Sequence, residues 1–146
     1  QPLPFTPFKD FTGRSINEIN LYSTEMSSAL YSIDRVSASA NMNNRLSEAI
    51  VEAYKSTNGA PISFELMLKC YQSRMKDANN DDSISSVLKQ LVNAHIFESE
   101  DKVSLIDDSY IIKMDGYPKD GPIAKAIVYF LMSKLNNIYE LWINKQ

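Results

Sequence analysis

From Pro122 to Ile143 the chain reads as one long helix whose apolar residues cover much more than one face. On a helical wheel Ile123, Ala124, Ile127, Val128, Phe130, Leu131, Met132, Leu135, Ile138, Tyr139, Leu141 and Trp142 share one arc. That arc is roughly 200° wide, about twice the stripe by which a surface helix docks on its own core. Lys134 interrupts it, and Lys125, Ser133, Asn136, Asn137 and Glu140 make up the narrow polar side. Such a helix has to be covered on two sides. Burying each large apolar side chain contributes about 1.5–3 kcal/mol, and an apolar patch of this size is seldom left open on a monomer. A membrane does not provide the cover, because the longest unbroken apolar run, Ala126 to Met132, is seven residues, whereas a spanning helix needs about 20.

Two covers remain open. One is intramolecular: an N-terminal helix (Ile16 to Ile33) and an arm carrying Phe5, Phe8 and Phe11. The other is a second copy of the chain, which would use one patch twice, with aromatic side chains as anchors. The ridge Ile127, Leu131, Ile138 is expected in the core in either case. The candidates for a partner are the flanks, Val128, Met132, Leu135 and Tyr139 on one side and Phe130 and Leu141 on the other, together with Trp142.

The hydrophobic period organises the rest of the chain. Residues 1–13 hold three prolines and three phenylalanines and read as an extended arm, because proline blocks helix. Ile16, Ile19, Tyr22, Met26, Leu30 and Ile33 then recur at helical spacing, and residues 37–44, small and polar, read as a linker. Three short amphipathic segments follow. The first, Leu46 to Tyr54, stops at Asn58-Gly59-Ala60-Pro61. The second, Phe64 to Tyr71, has Ser63 as its N-cap, and the third, Ile84 to Val92, has Asp82 or Ser83. After Asn93 the period changes. Ile96 to Ser99 and Lys102 to Ile106 read as two strands of a hairpin turning at Glu100-Asp101, with Val103 and Leu105 facing inward. Tyr110 to Met114 reads as a third strand or a single helical turn. The division expected is an arm, helix and linker over 1–44 and a main domain over 45–146, forming one unit. The opening Gln1-Pro2 reads as the start of a segment taken from a longer protein.

Three short helices followed by a hairpin is the winged-helix order. The expected fold is therefore α+β and mostly α: a winged helix-turn-helix variant extended by an N-terminal helix and a long C-terminal one. Within that order, Ile62-Ser-Phe-Glu-Leu-Met-Leu-Lys-Cys-Tyr71, Ser83-Ile-Ser-Ser-Val-Leu-Lys-Gln-Leu-Val92, Ile96-Phe97 and Val103-Ser-Leu105 resemble the C-terminal winged-helix domain of the origin recognition and replication-licensing ATPases. The resemblance spans about residues 45–113. The Asn- and Ser-rich composition and the ending Tyr139-Glu-Leu-Trp-Ile-Asn-Lys-Gln146 are similar to the heterochromatin-silencing branch of that family in budding yeast. The resemblance implies a nuclear, non-enzymatic scaffold for transcription repression at telomeres. Its C-terminal domain would form a homodimer, while the full-length protein would engage other silencing factors and nucleosomes.

Charge argues against a nucleic-acid reader. The net charge is −3, and residues 77–108 carry eight carboxylates against Lys89 and Lys102, a net of −6. In a DNA-reading winged helix the third helix enters the major groove, and its outward face here would be Ser85, Ser86, Lys89, Gln90 and Asn93. That face has one cation, and the neighbouring acidity repels phosphate where counterion release should supply affinity. Weak or no DNA binding is expected. A DNA-binding domain of a replication initiator and a hetero-association winged helix stand as the alternatives.

No constellation reads as catalytic. The single histidine, His95, sits where a helix C-cap belongs. The single cysteine, Cys70, excludes an internal disulfide and has no oriented base, so it reads as a structural thiol. Asp81-Asp82 and Asp107-Asp108 sit at helix caps and lack the spacing of a calcium loop. The glycine-containing turns have no Walker lysine. No enzyme activity, cofactor or metal is expected.

Overall fold

The hydrophobic spacing resolves into five helices in a computed structural model of the chain, which describes residues 2–33, 40–75, 82–98, 100–103, 117 and 119–145. They are α1 (Ile16–Ile33), α2 (Ala40–Ser56), α3 (Phe64–Ser73), α4 (Ser83–Ala94) and α5 (Gly121–Lys145). The helices α1 to α4 pack on one another in chain order, and α5 lies against α1 and α4.

Local chemistry sets the helix ends. The Ser63 hydroxyl accepts the Leu66 N–H at 3.1 Å and starts α3. Asp82 and Ser85 form a reciprocal capping box at α4: the Asp82 carboxylate accepts the Ser85 N–H at 2.9 Å, and the Ser85 hydroxyl accepts the Asp82 N–H at 3.1 Å. His95 ends α4 in the left-handed conformation, as a C-cap (φ 47°). The helix α2 begins earlier than its sequence suggests. Its first turns use Ala40 to Asn44, where a linker is expected, because Asn43 Oδ1 accepts the Ser27 hydroxyl at 2.9 Å and Met42 packs on the core. Tertiary contacts there outweigh weak helix propensity. Residues 37–39 lie outside the described residues.

The core is built from the expected faces: Leu46, Ala49, Ile50, Ala53 and Tyr54 of α2, Met67 and Tyr71 of α3, and Ile84, Val87, Leu88 and Leu91 of α4 are buried. The arm supplies a further part. Phe8 meets Phe64 of α3 and Phe130 of α5 edge-on, with ring centroids 4.9 and 5.5 Å away. Phe11 packs in the same way on Tyr22 of α1 and Tyr54 of α2, at 5.0 and 5.1 Å. Each such pair contributes about 0.5–1.5 kcal/mol beyond the area it buries. The arm therefore joins α1, α2, α3 and α5 rather than trailing from them.

The α+β winged-helix expectation is overturned. Among the described residues there is no strand, so the fold is all-α and offers no wing or sheet to support a winged-helix class. The reason is visible at the expected first strand. Leu3 donates its N–H to the Ile96 carbonyl at 2.6 Å, and the Glu98 N–H reaches the Leu3 and Phe5 carbonyls at 3.0 and 3.1 Å, giving one isolated parallel bridge, Leu3 to Phe97. The Lys102 N–H, expected in the second strand, donates to the Pro4 carbonyl at 2.9 Å. The arm takes up backbone groups that a hairpin would have paired, and an isolated two-stranded hairpin is at best marginal. Residues 104–106 of the expected second strand, and Tyr110 to Met114, lie outside the described residues.

Candidate association surface on the C-terminal helix

Pro122 occupies the first turn of α5, where its missing N–H costs nothing. One side of the helix then locks into the body: Ala126, Ile127, Phe130 and Lys134 are buried, and Leu131 and Ile138 are half-buried along the margin. Phe130 belongs to that side. It was a candidate for a partner, but it is fully enclosed, ringed by Phe8, Phe64, Phe97 and Tyr129, and has no surface left to offer. Lys134 does not break the packed side open. Its ammonium is ion-paired with Asp101 and sits over the Phe5 ring, 5.8 Å from the centroid.

The other side is bare. Val128 and Met132 are each 60% exposed, Tyr139 59%, Trp142 48% and Leu135 47%. These five follow one another at intervals of four, three, four and three residues. That is the 3.5-residue period of a straight seam between two helices, distinct from the broader face with which a helix covers a core. Toward its C-terminus the helix packs little on the body, since every residue from Tyr139 to Asn144 is exposed. Leu141 points along the core-facing azimuth, yet it is exposed because it lies past the last supporting contact. Ile143, which the sequence reading did not single out, joins the exposed apolar set at the edge of the seam. Tyr139 and Trp142 stack on one another, with centroids 6.3 Å apart and planes 25° off parallel.

Charge is sparse around this seam. Flanking it are Tyr129, Leu131, Asn136, Ile138 and Ile143, and Lys125 is exposed on the same side one turn before it. Glu140 lies further round, 3.8 Å from the Lys9 ammonium. A shallow cleft between the arm, α1 and α5 borders the seam and is lined by Lys9, Tyr22, Glu25, Tyr129, Met132 and Asn136. It holds neither a thiol nor an imidazole.

The alternative nucleic-acid face is only partly assembled. Ser86, Gln90 and Asn93 are exposed on α4 and Lys89 is half-buried. Ser85 points inward, fully buried and committed to the capping box. Two of the acidic groups nearby have internal roles. Asp82 caps α4, accepts the Tyr71 hydroxyl and pairs with Arg45 at 3.4 Å, while Asp101 pairs with Lys134. Cys70 is buried in α3, and burial, followed by the charge of Glu52, pushes its thiol up, away from nucleophilic use. Among the described residues no group of three or more His, Cys, Asp or Glu could hold a metal ion.

Comparison with protein-family models, with curated proteins and with solved structures found no match.

Proposed function

We propose that the chain is a non-enzymatic self-association module, and that two copies pair through the exposed seam of α5. The observation that carries the proposal is the set Val128, Met132, Leu135, Tyr139 and Trp142, exposed together at 4-3-4-3 spacing on a helix whose opposite side is already packed. A seam of that period fits another helix, and an isologous pair needs only one such surface. Between Val128 and Trp142 the residues beside the seam, Tyr129, Leu131, Asn136 and Ile138, are neutral, and Lys125 lies one turn before it, so the seam itself sets no like charges against each other when the helix meets its own copy.

The setting in chromatin silencing, with a nuclear location and with other silencing factors and nucleosomes as partners of a longer chain, is supported by the resemblance of residues 62–71 and 83–92 to the origin recognition and licensing ATPases and of the Asn- and Ser-rich composition and the ending Tyr139 to Gln146 to their silencing branch. Phe64 to Tyr71 lies in α3 and Ser83 to Val92 in α4. In that setting, pairing of two scaffolds would raise the effective concentration of their separate weak contacts.

Light scattering on the purified chain tests the proposal. A mass twice that of the chain is expected at tens of micromolar. Leu135→Asp should halve it while leaving the helical circular-dichroism signal intact. A monomeric wild-type chain at that concentration would refute self-association.

A further inference from the structure

The order of side-chain sizes along the seam specifies how the two copies lie. From its N-terminal end the seam runs Val128, Met132, Leu135, Tyr139, Trp142, small to large. We propose that the two α5 helices cross antiparallel, with Leu135 on the twofold axis, so that Val128 faces Trp142 of the second copy and Met132 faces its Tyr139. This arrangement rests on the self-association proposed above and deepens it.

Two observations favour the antiparallel arrangement over the parallel one. Antiparallel pairing sets the smallest side chain against the largest and the next smallest against the next largest, so the summed bulk across the seam stays nearly constant. The helices can then keep one spacing along their length, which close packing requires. In a parallel pair Val128 would meet Val128 and Trp142 would meet Trp142, forcing the helices apart toward one end. The second observation is the exposed end. Residues 139–144 are all exposed, and the contact back to the body there is the Glu140 ion pair with Lys9 at 3.8 Å. In a parallel pair these ends could lean only on one another. In the antiparallel pair each end lies along the part of the second α5 that is anchored through Ala126, Ile127 and Phe130.

The experiment uses the full chain in a Cys70→Ala background, with a nitroxide attached at Lys125→Cys. Lys125 is exposed on the same side of α5, one turn before the seam. With Leu135 on the axis, ten residues separate each label from the crossing point. At 1.5 Å per residue the two labels then stand about 30 Å apart along the helix axis, against about 10 Å in a parallel pair. Pulsed dipolar spectroscopy reads that difference directly, and Leu135→Cys in the same background should cross-link to its own copy on mild oxidation. A long separation together with the Leu135→Cys cross-link supports the arrangement. A dimer with the short separation overturns the antiparallel crossing but leaves self-association standing. A dimer that Leu135→Cys fails to cross-link shows that a different surface is used. A monomer removes the self-association and the arrangement together.

Discussion

The Lys134 ammonium lies 2.9 and 3.1 Å from the two carboxylate oxygens of Asp101, and the same carboxylate accepts the Thr6 N–H at 3.1 Å. One acidic group thereby ties α5 to the loop after α4 and to the arm. The pair is asymmetric, with the Lys134 side chain 7% exposed and Asp101 51%. Removing a partner from a buried charge costs much more than removing the buried charge itself. Asp101→Ala should therefore destabilise the protein by about 2–4 kcal/mol, whereas Lys134→Met, which keeps the stem over Phe5, should cost under about 1 kcal/mol. Urea unfolding of both variants checks the ordering. Equal losses would mean that the ammonium is solvated.

Gly59 is the position least open to change among the turns. Its φ is +90°, and a Cβ there would come within 2.7 Å of the Phe11 carbonyl oxygen, while its own carbonyl accepts the Phe11 N–H at 2.7 Å. Gly59→Ala should cost about 2–3 kcal/mol, combining the left-handed penalty with displacement of the arm. Gly13, also at positive φ but with open space around it, should cost only about 1 kcal/mol on the same substitution. Thermal unfolding of the two variants side by side measures the difference.

Much of the helical frame was legible from sequence because it depends on local chemistry. Ser63, Asp82 and His95 cap helices as their residue types suggest, and the apolar spacing of α2 to α4 names the buried faces. The three phenylalanines of the arm dock as expected. The hairpin is not there because the short apolar stretch Ile96-Phe97 registers only an extended chain, and the partner of that chain lies about ninety residues away at Leu3. The pairing of Lys134 with Asp101 is hidden for the same reason, being a contact across 33 positions. Phe130 was misplaced because a helix apolar on both sides gives the wheel no contrast. Spacing does not separate the two sides either, since the packed residues Ile123, Ile127, Phe130 and Lys134 run at the same alternating intervals of four and three as the exposed seam.

Tyrosine ionisation should limit stability at alkaline pH. Tyr22, packed with Phe11 and Tyr54, is pushed up to about 12 from its ordinary value of 10.0, chiefly by burial. Burial also raises Tyr54, and it raises Tyr71, where the hydrogen bond to Asp82 adds to the effect. Because the folded values exceed the unfolded ones, the neutral forms stabilise the native state fully below pH 10.0. Above it the unfolded chain releases protons that the native chain retains, so stability falls as pH rises toward about 12. For Tyr22 alone the loss approaches about 2–3 kcal/mol. Denaturant titrations at rising pH should show a flat plateau to about pH 9 followed by a decline steeper than one proton per molecule. Tyr22→Phe should flatten that decline. An unchanged slope would place the ionisation elsewhere.

The two sides of α5 should separate in a single measurement. If the exposed seam pairs two copies, folding and association are linked, and the midpoint of thermal unfolding rises with protein concentration. Leu135→Asp should remove that dependence and bring the midpoint at every concentration to the dilute wild-type value, because Leu135 is half exposed in the single chain. Phe130→Ala acts on the packed side. It empties a site ringed by Phe8, Phe64 and Phe97 and should cost about 3–5 kcal/mol. That lowers the midpoint at all concentrations, whether or not the chains are paired. Differential scanning fluorimetry over a hundredfold range of concentration distinguishes the two patterns. A wild-type midpoint independent of concentration would remove the thermodynamic basis for pairing, and a concentration dependence that survives Leu135→Asp would assign it to a surface other than α5.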